Sequence, residues 1–424
     1  MAHLELEPLR RMGFVDFARS HRHPAALKAA SRLNAASRLT WAGDLVVEIR
    51  SLASCKDIIG QWRDLARDAC QPNVFFEPDF LLSAVQHLPE AAGHLAMLVW
   101  DPRLDGEPRL LAFWPMRTPR MATSRGLAHG FASRFASSGA PLLHRHYAVE
   151  AACALLTCLA GEASGAAGAL FNEIALDGPA ARALRAAATL SGLTTSELGT
   201  HIRACIWNDG TGNAAAQNRS TGAKLRKDMG RMARGLSELG DVRLLSARSP
   251  DDIKDSMELF LALEASGWKA RRGTAILSDV RDAAFFRCLS RALGRRGQMS
   301  LHVLEVGHRV ASAGLVLTSG DHAWYVKTSH DEALARHSPG ALLSHQLGLL
   351  AMTTTPLHCL DSCALPGHQM IERVWKGRMR VGDLVIGITP QADTALWREK
   401  LARRMRLLAK RAYYRLQGWS MQGQ

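Results

Sequence analysis

The stretch that decides the fold is WYVKTSHDEALARHSPGALLSHQ, residues Trp324–Gln346. Its first part, up to Ser329, is typical of a β-strand. Ser338, Pro339 and Gly340 then predict the start of a helix, because Ser is a favoured N-cap and Pro fits the first helical position. Open backbone N–H groups at a helix start bind anions, and a glycine there lets a ligand approach closely. The stretch therefore predicts a strand, a turn and a helix around an anion site.

The net charge of +14 is concentrated at the two ends of the 424-residue chain. Residues 1–40 hold seven Lys and Arg against three acids, and residues 391–424 hold eight against two. The body between them is near neutral, which argues against a nucleic-acid-binding fold, since such a fold carries a basic face. Scattered cysteines and the absence of a signal-peptide pattern predict a cytoplasmic protein, and no apolar run is long enough to predict a transmembrane helix.

The order of predicted elements divides the chain into two similar halves. Each half runs strand, helix, helix, strand, strand, and then alternates helix, strand, helix and strand, which predicts a mixed α+β fold of two related units. Residues 117–145 show no clear period, and we interpret them as a long loop that lines a site. The predicted divisions are a disordered basic N-terminal arm at 1–40, a first unit at 41–207, a linker at 208–222, a second unit at 223–390 and a basic amphipathic helix at 391–424.

Four groups of residues in the second half match a known family: KLRK from Lys224, FLALEASGWK from Phe260 with GTA from Gly273, Asp331 with SPG from Ser338, and Asp361 with Trp375. With these residues the second half resembles the GNAT-superfamily acetyltransferases of the CelD-like group, which is associated with cellulose and exopolysaccharide biosynthesis. A weaker likeness near Asn73–Phe80 extends the resemblance into the first half. The resemblance implies two tandem GNAT-like domains with mixed central sheets, related to the Fem peptidyltransferases.

The resemblance also gives the opening turn a ligand. GNAT enzymes hold the pyrophosphate of acyl-CoA on a turn of the form Arg/Gln-x-x-Gly-x-Gly/Ala, and Arg336-His-Ser-Pro-Gly-Ala341 occupies that place. The implied donor-binding residues are Arg336, Ser338, Gly340 and Ala341, with acetyl-CoA or another acyl-CoA as cosubstrate and no metal. Pro339 stands where the first Gly is expected and removes one N–H donor, which favours a Fem-type mechanism as the alternative.

An acceptor site is implied around the end of the helix that contains Glu264. In the functional interpretation, Glu264 accepts the proton of the acceptor amine, because an amine must lose a proton to attack an acyl carbonyl. Trp268 and Lys269 shape the pocket. Tyr325 and Lys327, on the strand that begins the stretch Trp324–Gln346, contact the acceptor. The alternative is that Glu264, Trp268 and Lys269 form an ordinary cap at a helix C-terminus, where a lysine is electrostatically favourable.

Two aspartates complete the predicted catalytic set. Asp331 positions the acceptor amine or, in the alternative, orders the turn as an Asx-type residue. Asp361 follows a predicted strand, and the carboxyl ends of strands in α/β folds often face ligand sites. Cys363 beside it is a candidate nucleophile, although GNAT chemistry is a direct transfer and needs none. The sequence contains no recognisable metal-binding spacing.

Two basic helices complete the sequence pattern. The helix KLRKDMGRMAR at 224–234 either steers an anionic ligand or forms a solvated basic face. In the C-terminal helix, an apolar stripe on a basic background predicts a peripheral contact with an anionic membrane surface, or docking on the protein's own body. The stripe consists of Trp397, Leu401, Met405, Leu408, Ala412, Leu416 and Trp419.

Taken with the resemblance, these features predict a cytoplasmic, acyl-CoA-dependent N-acyltransferase that acts on an amine of a sugar nucleotide, a glycan precursor or a polyamine, with no DNA partner. Its first half is then structural or binds the acceptor. One alternative is a Fem-like transferase that uses aminoacyl-tRNA. Another is a non-catalytic accessory protein of polysaccharide export, tethered by its C-terminal helix.

Overall fold

The computed structural model describes residues 38–102, 108–119, 126–161, 165–208, 223–353 and 357–416. Nearly all of the predicted N-terminal arm, the predicted linker from residue 209, and Trp419 lie outside the described residues. The division into independent units stays a prediction.

A single mixed sheet of fourteen strands runs through the described part of the chain. The order across the sheet is β1-β2-β3-β4-β5-β7-β14-β8-β13-β12-β11-β10-β9, with β6 paired to β4. The strands are β1 Arg38–Ala42, β2 Leu45–Ser51, β3 Leu95–Asp101, β4 Arg109–Arg117, β5 Gly126–Gly130, β6 Leu142–Leu143, β7 Ala166–Ala175, β8 Thr194–Trp207, β9 Val242–Ala247, β10 Met299–Val306, β11 Arg309–Ser319, β12 His322–His330, β13 Cys359–Asp361 and β14 Gly377–Gly387.

The pairing pattern repeats when the sheet is followed inward from its two ends. In the first half β2, β3, β4 and β5 pair antiparallel, and β5 then pairs parallel with β7. In the second half β9, β10, β11 and β12 pair antiparallel, and β12 then pairs parallel with β13. The matching element order predicted from sequence therefore has a counterpart in the sheet.

The last strand of each half crosses into the other half. β8, from the first half, pairs antiparallel with β13, and β14, from the second half, pairs antiparallel with β7. β8 and β14 also pair with each other at the centre of the sheet. Each half therefore completes its sheet with a strand supplied by the other.

Helices pack on the sheet in two main apolar clusters. The larger cluster joins both halves: the Phe75 ring meets Trp324 edge-on with centroids 5.6 Å apart, and the Phe80 ring meets Phe285 at 5.5 Å. No helix among the described residues is long and apolar enough to cross a membrane. The helices are α1 Ile59–Arg67, α2 Pro78–His87, α3 Ala148–Ala160, α4 Pro179–Leu190, α5 Ala223–Ser237, α6 Pro250–Ser266, α7 Trp268–Arg271, α8 Val280–Arg295, α9 Pro339–Thr353, α10 Gln369–Val374 and α11 Ala392–Leu416.

Residues 117–145 differ from the predicted long loop. Within them, GLAHG at Gly126–Gly130 forms β5, which lies between β4 and β7 in the sheet. Five residues with a glycine at each end have too little β-propensity and alternation to be recognised from sequence. The irregular stretch that follows β5 includes Arg134 and Phe135, which line a cavity described below.

The exchange of strands predicts a sharp steric requirement at Gly377, the first residue of β14. A Cβ atom there would lie 2.4 Å from the backbone oxygen of Cys205 on β8. We expect Gly377→Ala to lower the free energy of unfolding by about 1–3 kcal/mol, because a backbone atom in a central strand cannot move aside. Denaturant unfolding measures the change.

Gly60→Ala in α1 is the matched control, since a Cβ at Gly60 has no atom within 4 Å. We expect this change to be neutral or to stabilise by up to about 1 kcal/mol, because alanine favours helix. Equal unfolding free energies for the two variants would contradict the close β8–β14 contact.

Candidate functional site

A gap opens where β12 and β13 separate. The two parallel strands pair only at His322–Trp324 and Cys359–Asp361. Beyond Trp324, β12 continues to His330 on its pairing with β11, whereas the chain turns away after Asp361. Cys363 lies in that turn with a φ of 54°, a left-handed conformation that few non-glycine residues adopt. The separation leaves one side of β12 open toward the first half.

A cavity of about 70 Å³ lies at this point of separation, between the two halves. Typical ligand pockets are roughly 300–1,000 Å³, so the cavity has room for only the reacting end of a substrate. Arg134 and Lys327 are its cationic lining residues. The remaining lining residues are Phe80, Phe135, Ser137, Phe285, Phe286, Leu289, Leu315, Leu317, Val326 and Cys363.

A β-bulge at Val326 turns Lys327 into this cavity. Val316 of β11 pairs with Tyr325, but the next residue, Leu315, pairs with Lys327, so Val326 is the extra residue. Without the bulge, Tyr325 and Lys327 would share a face of the sheet, because side chains alternate along a strand. The bulge instead leaves Tyr325 buried in the smaller apolar cluster, 5.8 Å from the Trp375 ring. The structure therefore separates two residues that the sequence groups together.

Glu264, fully buried on α6, holds two lysines by one carboxylate oxygen. Its Oε1 accepts hydrogen bonds from Lys269 Nζ at 2.8 Å and from Lys327 Nζ at 3.2 Å. Its Oε2 accepts the backbone N–H of Ile276 at 2.8 Å. Lys269 Nζ also donates to the backbone oxygen of Thr328 on β12 at 3.2 Å. Three of the predicted site residues, Glu264, Lys269 and Lys327, thus form one cluster.

The charges of this cluster shift one another's protonation. Burial alone would raise the pKa of Glu264, but Lys327, Lys269 and the hydrogen bonds outweigh it and lower that pKa below its ordinary value. Burial lowers the pKa of Lys327 despite the opposing effect of Glu264. The Lys327 ammonium lies 5.5 Å from the ring centroid of Phe135 and 5.9 Å from that of Phe286. Glu264 is therefore a firmly ionised group and a poor proton acceptor.

Trp268 lies outside this cluster. Its backbone N–H donates to Glu332 Oε1, and the Arg272 guanidinium lies 5.0 Å from the centroid of its half-buried ring. Glu332 also pairs with Arg271 at 2.6 Å. These contacts join the short helix α7 to the turn that follows β12.

Asp331 orders that turn. Its Oδ1 accepts the N–H of Ala333 at 3.0 Å, in the manner of an Asx turn, and its Oδ2 accepts from Arg309. Both carboxylate oxygens are therefore used by the chain itself. This geometry corresponds to the second of the two roles predicted for Asp331.

The turn before α9 offers fewer backbone donors than its sequence predicts. Ser338 is left-handed at φ 48°, and its carbonyl accepts the N–H groups of Ala341 and Leu342 at 3.0 and 3.2 Å. Pro339 has no N–H. Within the described residues the Gly340 N–H donates to no protein acceptor, so it is the donor left for a ligand at this helix start. Gly340 and Ala341 are buried and Ser338 is half-buried.

Cationic groups surround the same turn. Arg336 is exposed and its Nε donates to His337 Nε2 at 2.8 Å. Helix α5 packs beside the turn, and a Cβ at Gly235 would lie 2.5 Å from the His337 ring, so a glycine is required for this approach. The basic residues of α5 are exposed to solvent: Lys224, Arg226, Lys227, Arg231 and Arg234.

Asp361 is buried in a network that crosses between the halves. Arg203 of β8 donates to Asp361 Oδ2 at 3.1 Å and to Glu173 Oε2 of β7 at 2.8 Å. Asp361 Oδ1 accepts the N–H of Cys363 at 2.8 Å. Burial, together with Asp361, raises the pKa of the Cys363 thiol well above its ordinary value, which disfavours a nucleophilic thiolate.

Sequence reasoning does not single out Arg203, Arg134 or Phe135, although the last two lie in the stretch 117–145 that is expected to line a site. Arg203 lies among apolar residues in the strand THIRACIW, and a lone arginine within such a strand is the signal that marks a buried, paired charge. Arg134 and Phe135 lie in an irregular stretch whose approach to the second half is a tertiary feature. No group of three or more His, Cys, Asp or Glu in the part of the chain that the structure covers could hold a metal ion.

A sequence profile described as "Acetyltransferase (GNAT) domain" matches residues 223–363. This range contains Glu264, Lys327 and the turn before α9. Residues 223–363 are therefore similar to a GNAT-type acetyltransferase domain. A comparison with curated proteins finds no match.

Similarity of fold to a solved structure covers more than the matched residues. FemX is similar at 11% identity with a TM-score of 0.52, over 77% of this chain and 95% of FemX. The C-terminal domain (DUF2156) of a putative lysylphosphatidylglycerol synthetase from Agrobacterium fabrum matches with a TM-score of 0.49 at 13% identity, over 81% and 96%. A tandem GNAT protein from the clavulanic acid biosynthesis pathway matches with a TM-score of 0.38 at 16% identity, over 81% and 99%. The FemX match shows a shared fold.

The buried position of Glu264 predicts a large effect of removing its charge. We expect Glu264→Gln to lower the free energy of unfolding by about 3 kcal/mol or more, since two mostly buried ammonium groups then lose their counter-ion. Glu258→Gln is the matched control, because Glu258 and Arg287 form a pair that is largely exposed. We expect the control to cost less than about 1 kcal/mol.

The Glu264 carboxylate also predicts that the stability of the fold depends on pH. A folded-state pKa below the unfolded value gives stability that is present above about pH 4.5 and is lost as pH falls through the folded value. The difference in melting temperature between the wild type and Glu264→Gln should therefore shrink in acid. A difference that stays constant to the point of acid unfolding would contradict the ionised state of Glu264.

Proposed function

We propose that the protein is an acyl-CoA-dependent N-acyltransferase whose acyl group and acceptor amine meet where β12 and β13 separate. The observation that carries the proposal is the coincidence of that separation with the cavity. Val326 and Lys327 line the cavity just after β12 leaves β13, and Cys363 lines it just after β13 ends. The GNAT-type profile over residues 223–363 supports the donor, because GNAT domains generally use acyl-CoA.

The turn at 336–341 is the proposed place for the donor's pyrophosphate. Gly340 is the second residue of α9, so its N–H lies at the helix start, where anions bind. Arg336 and the exposed basic residues of α5 add positive charge nearby. Pro339 has no N–H, and the N–H groups of Ala341 and Leu342 donate to the Ser338 carbonyl, so one backbone donor is left. We therefore assign more of the phosphate binding to side-chain cations than to the turn's backbone.

Lys327 is the proposed donor to the acyl oxygen. Acyl transfer places negative charge on the carbonyl oxygen as the amine attacks, and a fixed cation at a mostly buried position stabilises that charge. Glu264 and the rings of Phe135 and Phe286 hold the Lys327 ammonium in the cavity wall. Glu264 is then a positioning residue, and a water molecule takes the proton of the acceptor amine.

The acceptor is proposed to enter between the halves, because Arg134, Phe135 and Phe80 of the first half form the opposite wall of the cavity. The first half thus takes part in acceptor binding. A link to cellulose or exopolysaccharide biosynthesis, and an accessory role in polysaccharide export, stay predictions from the sequence resemblance alone.

A Fem-like aminoacyl-tRNA donor remains the second candidate. The exposed basic residues of α5 beside the turn favour a large anionic donor of this kind. Thermal shift with acetyl-CoA and with deacylated tRNA separates the two candidates. Stabilisation by tRNA alone would replace the acyl-CoA proposal.

Gly340→Ala separates donor binding from folding. A Cβ at Gly340 would meet its nearest atom, His330 Nδ1, at 3.9 Å, so the protein tolerates the methyl group. We expect the variant to keep or slightly raise its melting temperature, because alanine is the better helix former. The methyl group leaves the N–H in place but hinders the close approach of a phosphate to it. The affinity for acetyl-CoA, measured by calorimetry, should therefore fall by roughly tenfold, equivalent to about one hydrogen bond to a charged group.

Gly60→Ala serves again as the control, as the same substitution in a helix of the first half. It should leave acetyl-CoA binding unchanged. Unchanged affinity in Gly340→Ala would move the donor site away from this turn.

Lys327→Met tests the proposed role of Lys327 in the transfer step. We expect kcat to fall by roughly 10²–10³, as for the loss of one oxyanion donor, while acetyl-CoA binding is retained. The assay follows release of the CoA thiol from acetyl-CoA in the presence of amino sugars and polyamines.

Lys269→Met is the matched control, because Lys269 shares the Glu264 carboxylate but is absent from the cavity lining. Its kcat should change much less. Equal losses in both variants would mean that the lysines act only by stabilising the fold.

A further inference from the structure

The C-terminal helix α11 lies on the body by one face only. Ala395 is buried against Leu127, Leu170 and Val385, and Arg403 pairs with Asp383 of β14. Glu399 pairs with Arg403 at 2.7 Å, and its other carboxylate oxygen lies 3.7 Å from Nε2 of His129 on β5. These contacts fix the first half of the helix, and α11 meets the sheet at β5, β7 and β14.

The predicted apolar stripe points away from these contacts. In an α-helix Trp397, Leu401, Met405 and Leu408 fall within about 80° of arc, centred about 160° from the face that carries Ala395, Glu399 and Arg403. Their exposed fractions lie between 43% and 62%. The alternative predicted from sequence, that the stripe docks on the protein's own body, is therefore wrong for these four residues. The side chain of Leu416 and Trp419 lie outside the described residues.

Basic side chains border the stripe. Lys400, Arg404 and Arg411 lie on one side of it and Arg398 on the other, and all four are exposed. Ala392–Leu416 contains eight Lys and Arg residues but only two acidic residues, Asp393 and Glu399. Both carboxylate oxygens of Glu399 already lie against the body or against other side chains of the helix. An apolar stripe bordered by cations matches a surface that is apolar inside and negatively charged outside.

From this geometry we infer that α11 binds the surface of an anionic lipid bilayer, with Trp397, Leu401, Met405 and Leu408 entering the acyl boundary and the flanking cations contacting the headgroups. A second copy of the chain fits this face poorly, because two helices of net charge +6 would repel each other. A nucleic acid fits it poorly as well, since it would leave the Leu and Met side chains in water.

Co-sedimentation of the full chain with vesicles tests the inference. The probes are phosphatidylglycerol–phosphatidylcholine vesicles and pure phosphatidylcholine vesicles. We expect the wild type to bind the first much more tightly than the second, with a binding that weakens as salt is raised. Leu401→Ser/Met405→Ser should bind roughly tenfold more weakly or worse, since two apolar side chains no longer leave water.

Two further variants make the result specific. Leu259→Ser is the matched control, because Leu259 on α6 is similarly exposed at 47% but lies on another surface, and its binding should equal that of the wild type. Lys400→Glu/Arg404→Glu should weaken binding to the anionic vesicles and reduce its salt dependence. Neither altered pair on α11 makes a core contact, and circular dichroism checks that each variant stays folded.

Several outcomes would overturn the inference. Wild-type protein that stays in the supernatant with anionic vesicles would do so, and so would equal binding by Leu401→Ser/Met405→Ser. Sedimentation velocity without lipid tests the alternative that a second copy of the chain binds the stripe. If the wild type is a dimer, the apolar double variant is a monomer and neither binds vesicles, the stripe is a surface for self-association.

Discussion

The guanidinium of Arg203 holds the centre of the molecule together. It contacts Asp361 on β13, Glu173 on β7 and the backbone oxygen of Ser137 at 2.9 Å, so one side chain of β8 joins both halves and the cavity-lining stretch. Burial alone would lower the pKa of Arg203, but the neighbouring acidic groups outweigh it and raise that pKa. The ion therefore stays charged, and its position fixes the end of β13. The contact with Asp361 lies where β13 ends and separates from β12, next to the cavity.

Because the proposed site lies between the halves, distant parts of the sequence supply its functional groups. The cavity takes its cations from β12 and the stretch after β5, its carboxylate support from α6 and its aromatic wall from α2, α8 and the same stretch after β5. Glu264 serves this arrangement better as a fixed anion than as a base, since both of its oxygens are already hydrogen-bonded. Burial of the whole cluster makes each of these electrostatic contacts stronger than it would be in water.

Sequence patterns predicted the local features of this architecture. The strand β12 and the helix that begins at Pro339 follow from the β-type run up to Ser329 and from the Ser-Pro-Gly signal, and the structure confirms both. Glu264 and Lys269 lie five residues apart, and the resemblance adds Lys327; the structure brings these three side chains into contact, while their roles in a site stay predictions. The bulge at Val326 and the role of Arg203 were not predictable, since both depend on which strands become neighbours. The exposure of the C-terminal stripe was not predictable either, because it depends on the direction in which α11 leaves the body.

The exchanged strands also bear on how the chain folds during synthesis. Ala175 of β7 pairs with Val381 of β14, a partner that the ribosome makes long after β7 itself. At typical rates of roughly 5–20 residues per second, β14 emerges on the order of ten seconds after β8. During that interval the first half presents an unpaired strand edge at β7, which is a template for wrong pairing. Contacts between such distant segments also slow folding, so the nascent first half has to wait for its partner in a partly open state.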